Sequence, residues 1–94
     1  MNLLWTNPAA FQLRAIFDFI ADDRPSAAER MVRLIRKSAQ QAAQMPNSGR
    51  PGRVARTREV VVSGTPYVIA YRIQGNDVQV LAVMHAAQDW PSSF

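Results

Sequence analysis

Residues 57–72 read TREVVVSGTPYVIAYR, and this stretch decides the fold class. Two runs rich in β-branched residues flank a Ser-Gly-Thr-Pro turn at 63–66 that cannot continue a strand, so the stretch predicts a β-hairpin. Arg58 opens the first strand, and Arg72 lies near the end of the second. A guanidinium on a rigid strand can be oriented toward a carboxylate or a phosphate. The hairpin is therefore also a candidate binding element.

Two amphipathic helices are predicted before the hairpin, after a short edge strand at residues 3–5. Asn7 suits the cap and Pro8 the first position of the first helix. A break at residues 22–25 separates this helix from a second one that runs to about Gln44. The apolar stripe of the first helix is formed by Phe11, Leu13, Ile16, Phe17, Phe19 and Ile20.

The remaining strands are predicted at residues 57–62, 67–73 and 78–84, and they should form an antiparallel meander. Alternation along the last strand places Val80 and Val83 on opposite faces of the sheet. Both faces are apolar, so the pattern does not say which face the helices cover. The order β-α-α-β-β-β predicts an α+β fold, one domain over residues 1–94, with a helical hairpin packed on a small antiparallel sheet.

Composition excludes several classes of site. The 94 residues contain no cysteine and one histidine, which excludes disulfides and predicts no metal cluster. No phosphate-cradling glycine motif is present, so no cofactor is expected. The first residues lack the pattern of a signal peptide, and no apolar stretch is long enough for a membrane span. We therefore expect a cytoplasmic protein without membrane contact.

Charge is the strongest compositional signal. The net charge is +4, and ten of the eleven cations are arginine. Codon preference could produce this bias, but arginine also favours bidentate recognition of carboxylates and phosphates. Four arginines lie within nine residues, namely Arg50, Arg53, Arg56 and Arg58. They could contact an acidic protein or a nucleic acid, or they could form a solvated loop.

Seven segments together resemble the RelE/ParE toxin superfamily of bacterial type II toxin–antitoxin systems, over nearly the full chain. These segments are WTNPAA at 5–10, IFDFIA at 16–21, AAER at 27–30, MPNSGRPG at 45–52, TREVVV at 57–62, PYVIAYRI at 66–73 and VMHAAQDWP at 83–91. The match is closer to the ParE-like branch, and the family's β-α-α-β-β-β arrangement agrees with the elements predicted above.

The resemblance implies a toxin that causes growth arrest, supports plasmid stabilization and is neutralised by a cognate antitoxin. ParE-like members block DNA gyrase, and RelE-like members cut mRNA in the ribosome. A third interpretation is a non-toxic, antitoxin-binding corepressor. The resemblance also implies a hetero-oligomer, for which a heterotetramer is one arrangement, that contacts operator DNA only through the antitoxin. The acidic tail of the antitoxin should cover the helical hairpin, with apolar side chains in a groove beside the first helix.

RNA cleavage by a 2′-hydroxyl needs a base, an acid and cations near the phosphate. The strand at 57–62 has no lysine, and Glu59 should point to the opposite side of that strand from Arg58. Arg58 and His85 are therefore the two weak catalytic candidates. His85 could shuttle a proton, or it could tether the tail through a hydrogen bond. In the family an arginine often follows this histidine by three residues, where this chain has Gln88.

Two aromatic residues complete the candidate set. Tyr71 could be a core residue with a satisfied hydroxyl or a contact residue. Trp90 could pack the tail onto the sheet or anchor a partner. The predicted set for binding the target or the antitoxin is Arg50, Arg53, Arg56, Arg58, Tyr71, Arg72, His85 and Trp90. Arg50, Arg58 and Arg72 are expected to form salt links to the antitoxin.

Overall fold

The computed structural model describes residues 1–94 and contains two helices and a five-stranded sheet. The elements are β1 (Asn2–Trp5), α1 (Asn7–Ala21), α2 (Pro25–Gln44), a 3-10 turn (Pro46–Ser48), β2 (Arg50–Pro51), β3 (Arg58–Val61), β4 (Tyr67–Gln74) and β5 (Asp77–His85). The strand order in the sheet is β1-β5-β4-β3-β2. β1 runs parallel to β5, and all other pairs are antiparallel. The predicted α+β fold is confirmed.

The predicted strands agree with β3, β4 and β5 to within one residue at each end. The two-residue strand β2 was not predicted, because Arg50 and Pro51 lie in a segment rich in glycine and proline. β2 pairs with β3, with Arg50 opposite Glu59. This pairing makes β2 one edge of the sheet, while β1 forms the other edge.

Thr6, and not Asn7, caps helix α1. Its hydroxyl oxygen accepts a hydrogen bond from the backbone N–H of Ala9 at 3.4 Å and donates to the carbonyl of Val80 at 2.8 Å. The backbone of Thr6 is extended (ψ 158°), as a cap requires. The prediction of Asn7 was therefore wrong by one residue, and Thr6 additionally ties the start of α1 to β5.

The main core lies between the two helices and one face of the sheet. Its buried members are Ala9, Leu13, Ile35, Ala39, Val62, Ile69, Val80 and Val83. The predicted stripe of α1 was too wide, because Phe11 and Phe19 are 75% and 83% exposed. Neither helix is both long and apolar enough to cross a membrane.

A β-bulge in β5 changes which side chains face the helices. Ala70 pairs with Ala82 and Tyr71 pairs with Val80, so Leu81 is an extra residue in β5. The bulge brings Val80 and Val83 into the same core cluster. The prediction that these two valines lie on opposite faces was therefore wrong.

The second face of the sheet carries a smaller apolar cluster. Ala70, Ala82 and Met84 are buried there, and Trp90 from the C-terminal tail packs against them. The middle of the sheet is thus covered by helices on one side and by the tail on the other.

Candidate binding surfaces

Tyr71 fixes the loop that follows α2. Its hydroxyl donates a hydrogen bond to the carbonyl of Pro46 at 2.7 Å and accepts one from the backbone N–H of Gly49 at 3.1 Å. A Cβ at position 49 would lie 2.4 Å from the Tyr71 hydroxyl oxygen, so only glycine fits without a shift. The Tyr71 side chain is completely buried. It cannot present a surface to a partner in this conformation, which corrects its place among the predicted contact residues.

Glu59 is a buried carboxylate held by two arginines. One oxygen accepts from Arg50 Nη2 at 3.0 Å, and the other accepts from the backbone N–H of Arg53 at 2.7 Å. Arg53 Nε lies 3.3 Å from the same second oxygen. Burial raises the pKa of Glu59, but the hydrogen bonds and positive charges of Arg53 and Arg50 outweigh burial and hold the pKa below its usual value. Glu59 is therefore a charged structural group.

Arg58 and Glu59 point to opposite faces, as predicted. Arg58 is paired with Tyr71 across the ladder, on the face of the helices, whereas Glu59 is paired with Ala70 on the face of the tail. The two side chains therefore do not share a site.

Trp90 packs the tail against the sheet, and Arg53 lies over it. The guanidinium carbon of Arg53 is 3.9 Å from the centre of the Trp90 ring, a distance typical of a cation–π contact. The indole N–H of Trp90 is buried without a hydrogen-bond partner. The packing interpretation of Trp90 is thus confirmed, and Arg53 joins Glu59 to the tail. No pattern in the sequence indicates this connection, because Trp90 lies far along the chain from both Arg53 and Glu59.

His85 tethers the start of the tail. Its Nδ1 accepts a hydrogen bond from the backbone N–H of Ala87 at 3.1 Å, and its own backbone N–H donates to Gln88 Oε1 at 3.1 Å. The ring also makes an edge-on contact with Tyr67 at 5.8 Å between centres. The tethering interpretation is confirmed, and Gln88 has a structural role of its own.

Three of the predicted arginines contribute to the lining of one cavity at the β2–β4 end of the sheet, although Arg58 lies on the face of the helices and Arg72 on the other face. They line a shallow cavity of about 280 Å³, which we call the arginine pocket and which is formed by Pro51, Arg56, Thr57, Arg58, Arg72 and Ile73. Arg58 Nη1 donates to the carbonyl of Gly49 at 2.8 Å, and Arg72 Nε donates to Gln79 Oε1 at 2.7 Å. No carboxylate pairs with any of the three guanidiniums.

A larger cavity lies at the β1 side of the molecule. This apolar groove has a volume of about 770 Å³ and is lined by Leu3, Trp5, Ala10, Leu13, Arg14, Phe17, Val32, Arg36 and Gln40. It follows α1 as the sequence predicted, and two arginines lie among its lining residues. Arg14 is paired with Asp18 at 3.0 Å, whereas Arg36 has no acidic partner.

No three carboxylate or imidazole groups lie together as metal ligands would.

Comparison with known proteins gives consistent results. The family model described as the ParE toxin of the type II toxin–antitoxin system, parDE, matches residues 3–90. The candidate toxin Y4kP of Sinorhizobium fredii is 47% identical over 90 residues, covering 96% of this chain and 93% of that protein. Toxin RelE2 of Caulobacter vibrioides is 37% identical over 87 residues, covering 93% and 97%. The structure of a chromosomal ParDE system from P. aeruginosa has a TM-score of 0.84 and 30% identity, covering 90% of this chain and 95% of that one.

Proposed function

Because the chain belongs to the ParE toxin family of type II toxin–antitoxin systems, we propose that it arrests growth by binding and inhibiting DNA gyrase. In this proposal the toxin acts without breaking bonds itself, and a cognate antitoxin neutralises it. The solved ParDE relative supports the ParE-like assignment over 90% of the chain.

The main observation in favour of a non-enzymatic mechanism is that the side chains able to transfer protons already form hydrogen bonds within the protein. Both oxygens of Glu59 are taken by Arg50 and Arg53, and its lowered pKa makes it a weak base. His85 uses Nδ1 to accept from Ala87, which leaves Nε2 as its one ring nitrogen without a hydrogen-bond partner, and the Tyr71 hydroxyl is buried in the loop contact. A nuclease would need such groups free beside its phosphate.

The apolar groove is the best candidate for the antitoxin. An amphipathic segment could insert apolar side chains between α1 and α2, and its carboxylates could reach Arg14 and Arg36. β1 is an outer strand and has one edge free for an added strand. A large apolar contact is needed because ordering a flexible tail costs free energy. A heterotetramer built from two such pairs is one arrangement consistent with this proposal.

The groove assignment can be tested with a matched pair of charge reversals on α2. Arg36→Glu places a negative charge in the groove, whereas Arg33→Glu makes the same change at an exposed position outside the lining set. We expect Arg36→Glu to weaken binding of the antitoxin tail at least about tenfold and Arg33→Glu to have a small effect. Equal effects of both variants in a titration by calorimetry would argue against the groove.

The target can be tested in cells by inducing the toxin with and without its antitoxin. We expect growth arrest, loss of negative supercoiling in a reporter plasmid and accumulation of cleaved DNA, all suppressed by the antitoxin. Growth without arrest would instead favour the corepressor interpretation.

The likeness to toxin RelE2 favours one second candidate, a ribosome-dependent mRNA endoribonuclease. Arg58 and His85 would then be its catalytic residues. Primer extension on translated mRNA from the same cultures distinguishes the two functions. New 5′ ends within messages, together with unchanged plasmid supercoiling, would replace the gyrase proposal by this one.

A further inference from the structure

The outer side of helix α1 presents an apolar row to solvent. Phe11, Ala15 and Phe19 follow one another at intervals of four residues, so they lie along one side of the helix within about 80° of arc. The two phenylalanines are 75% and 83% exposed, and Ala15 is exposed between them. Two aromatic side chains in one row form a patch of the kind that marks an interface. We propose that this outer row joins two copies of the toxin in a two-fold symmetric dimer with antiparallel α1 helices.

The outer row is separate from the apolar groove. The α1 residues that line the groove are Ala10, Leu13, Arg14 and Phe17. None of them belongs to the row, so a second copy on the row leaves the groove open for an antitoxin. The helix is also fixed before association, because Gln12 Oε1 accepts a hydrogen bond from the backbone N–H of Val83 at 2.9 Å. A rigid surface loses little conformational entropy when it binds.

The outer row is complementary to itself. Its order, Phe-x3-Ala-x3-Phe, reads the same in both directions from Ala15. A two-fold axis beside Ala15 therefore places Phe11 of each copy next to Phe19 of the other copy. The small side chain of Ala15 allows the two helices to approach closely at the axis. Four phenyl rings then fill the contact on either side of it.

The charges of α1 fit the same arrangement. Arg14 precedes Ala15 by one position and Asp18 follows it by three, so the axis brings Asp18 of one copy within about 3 Å, along the helix, of Arg14 of the other. The ion pair that these residues form within one chain at 3.0 Å is then shared between copies. Asp22 of one copy comes level with Pro8 of the other, at the positive end of a helix whose first turn has no acidic residue.

The charge distribution favours a second copy over an acidic peptide on the outer row. Residues 7–21 contain one arginine and one aspartate, so α1 carries no net charge. Residues 25–44, which form α2, contain four cations and one glutamate. An acidic tail is therefore attracted to α2 and the groove, and not to the side of α1 where Asp18 and Asp22 lie. Two copies can meet at the row without charge repulsion, although the chain has a net charge of +4.

The contact is small, so the dimer should be weak. A fully enclosed aromatic side chain buries about 150–250 Å², and the four exposed phenyl groups together supply roughly 600 Å². Pro8, Ala15 and the charged pairs extend this area toward the lower limit of stable interfaces, about 1,200 Å². We expect a dissociation constant in the tens of micromolar.

Sedimentation velocity of the full chain, free of antitoxin, tests the proposal over concentrations from about 1 to about 500 μM, which bracket such an affinity. Phe11→Ser with Phe19→Ser removes both rings of the row. Met45→Ser with Phe94→Ser, the matched control, removes two exposed apolar side chains outside α1. We expect the first pair to weaken dimerisation at least about tenfold and the control pair to leave it unchanged. Circular dichroism melts establish that both variants fold.

Disulfide formation tests the position of the two-fold axis, because the chain contains no cysteine. Ala15→Cys places one thiol of each copy beside the axis, close enough for a disulfide. Gln41→Cys, at an exposed position of α2, is the control. Under mild oxidation, we expect Ala15→Cys to form a covalent dimer at least about tenfold faster than Gln41→Cys.

Several outcomes would overturn the proposal. These are an unmodified chain that stays monomeric at the highest concentration, equal effects of the two double variants, and equal rates of disulfide formation. A further one is that Phe11→Ser with Phe19→Ser weakens antitoxin binding and leaves dimerisation unchanged, because the row would then belong to the antitoxin. Since the toxin is measured alone, the result does not depend on gyrase being the target.

Discussion

Glu59 and Arg53 are joined through both the backbone and the side chain of the arginine. The backbone N–H of Arg53 lies 2.7 Å from a Glu59 carboxylate oxygen, and its Nε lies 3.3 Å from the same oxygen. The guanidinium of Arg53 also covers Trp90. One buried carboxylate therefore orders the arginine-rich loop and, through Arg53, the C-terminal tail.

Replacing Glu59 by glutamine should destabilise the fold. The glutamine keeps the shape but loses the charge that Arg50 and Arg53 require, and its NH₂ group would meet their N–H donors. We expect a loss of about 1–3 kcal/mol in the free energy of unfolding, measured by urea denaturation. Glu29→Gln, at an exposed position on α2, is the matched control and should change stability by less than about 0.5 kcal/mol. Equal stability of the two variants would contradict this role of Glu59.

The contribution of Glu59 should depend on pH. Its pKa in the folded chain lies below the usual 4.5, so the unfolded chain binds a proton first as the pH falls. The stabilisation is therefore complete above about pH 4.5 and is lost as the pH falls through the pKa of the folded state. Urea denaturation of the unmodified chain and of Glu59→Gln should give stabilities that converge with decreasing pH. A difference that stays constant or widens would show that another group is responsible.

Arg53→Ala should loosen Trp90 from the sheet. The substitution removes the guanidinium over the indole and should cost about 1–2 kcal/mol. It should also shift the tryptophan emission to longer wavelength and increase quenching by acrylamide. Trp5 contributes to the same signal, so the measurement is repeated with Trp90→Phe, in which the Arg53 effect on fluorescence should disappear. A fluorescence change that persists in Trp90→Phe would mean that Arg53 acts elsewhere.

Gly49→Ala should be strongly destabilising because of Tyr71. The new Cβ would lie 2.4 Å from the tyrosine hydroxyl oxygen and 3.0 Å from a ring carbon. We expect a loss of about 2–3 kcal/mol, of which part should be recovered when Tyr71→Phe removes the hydroxyl. A double-mutant cycle by urea denaturation measures this coupling. Additive effects of the two substitutions would exclude the predicted contact.

The fold was largely predictable because its elements carry local signals. Pro25 begins α2, and the turn at residues 63–66 separates β3 from β4, so the boundaries followed from residue type alone. The bulge at Leu81 carried no such signal, since any apolar residue can be the extra one, and it places Val83 on the same face as Val80 instead of the opposite face. Helical periodicity predicts that Phe11 and Phe19 extend the apolar stripe of α1, but both side chains are exposed. The periodicity of one helix does not show how much of its surface a neighbouring element covers.

The sequence predicted which residue types form the candidate surfaces, but not which of these residues pair with one another. The arginine cluster was visible in the sequence, but its division into two groups was not. Glu59 pairs with both Arg50 and Arg53, whereas Arg56, Arg58 and Arg72 have no acidic partners. That division depends on the pairing of β2 with β3. A strand of two residues is too short to show an alternating pattern, so this pairing could not be predicted from the sequence.

Titration of purified gyrase with the purified toxin tests the central claim most directly. Supercoiling of relaxed plasmid is measured while the toxin concentration is raised at a fixed gyrase concentration, with and without an antitoxin. The account predicts that supercoiling falls in proportion to added toxin, reaches a plateau near stoichiometric amounts, and is restored by the antitoxin. Full supercoiling activity at a large molar excess of folded toxin would contradict it.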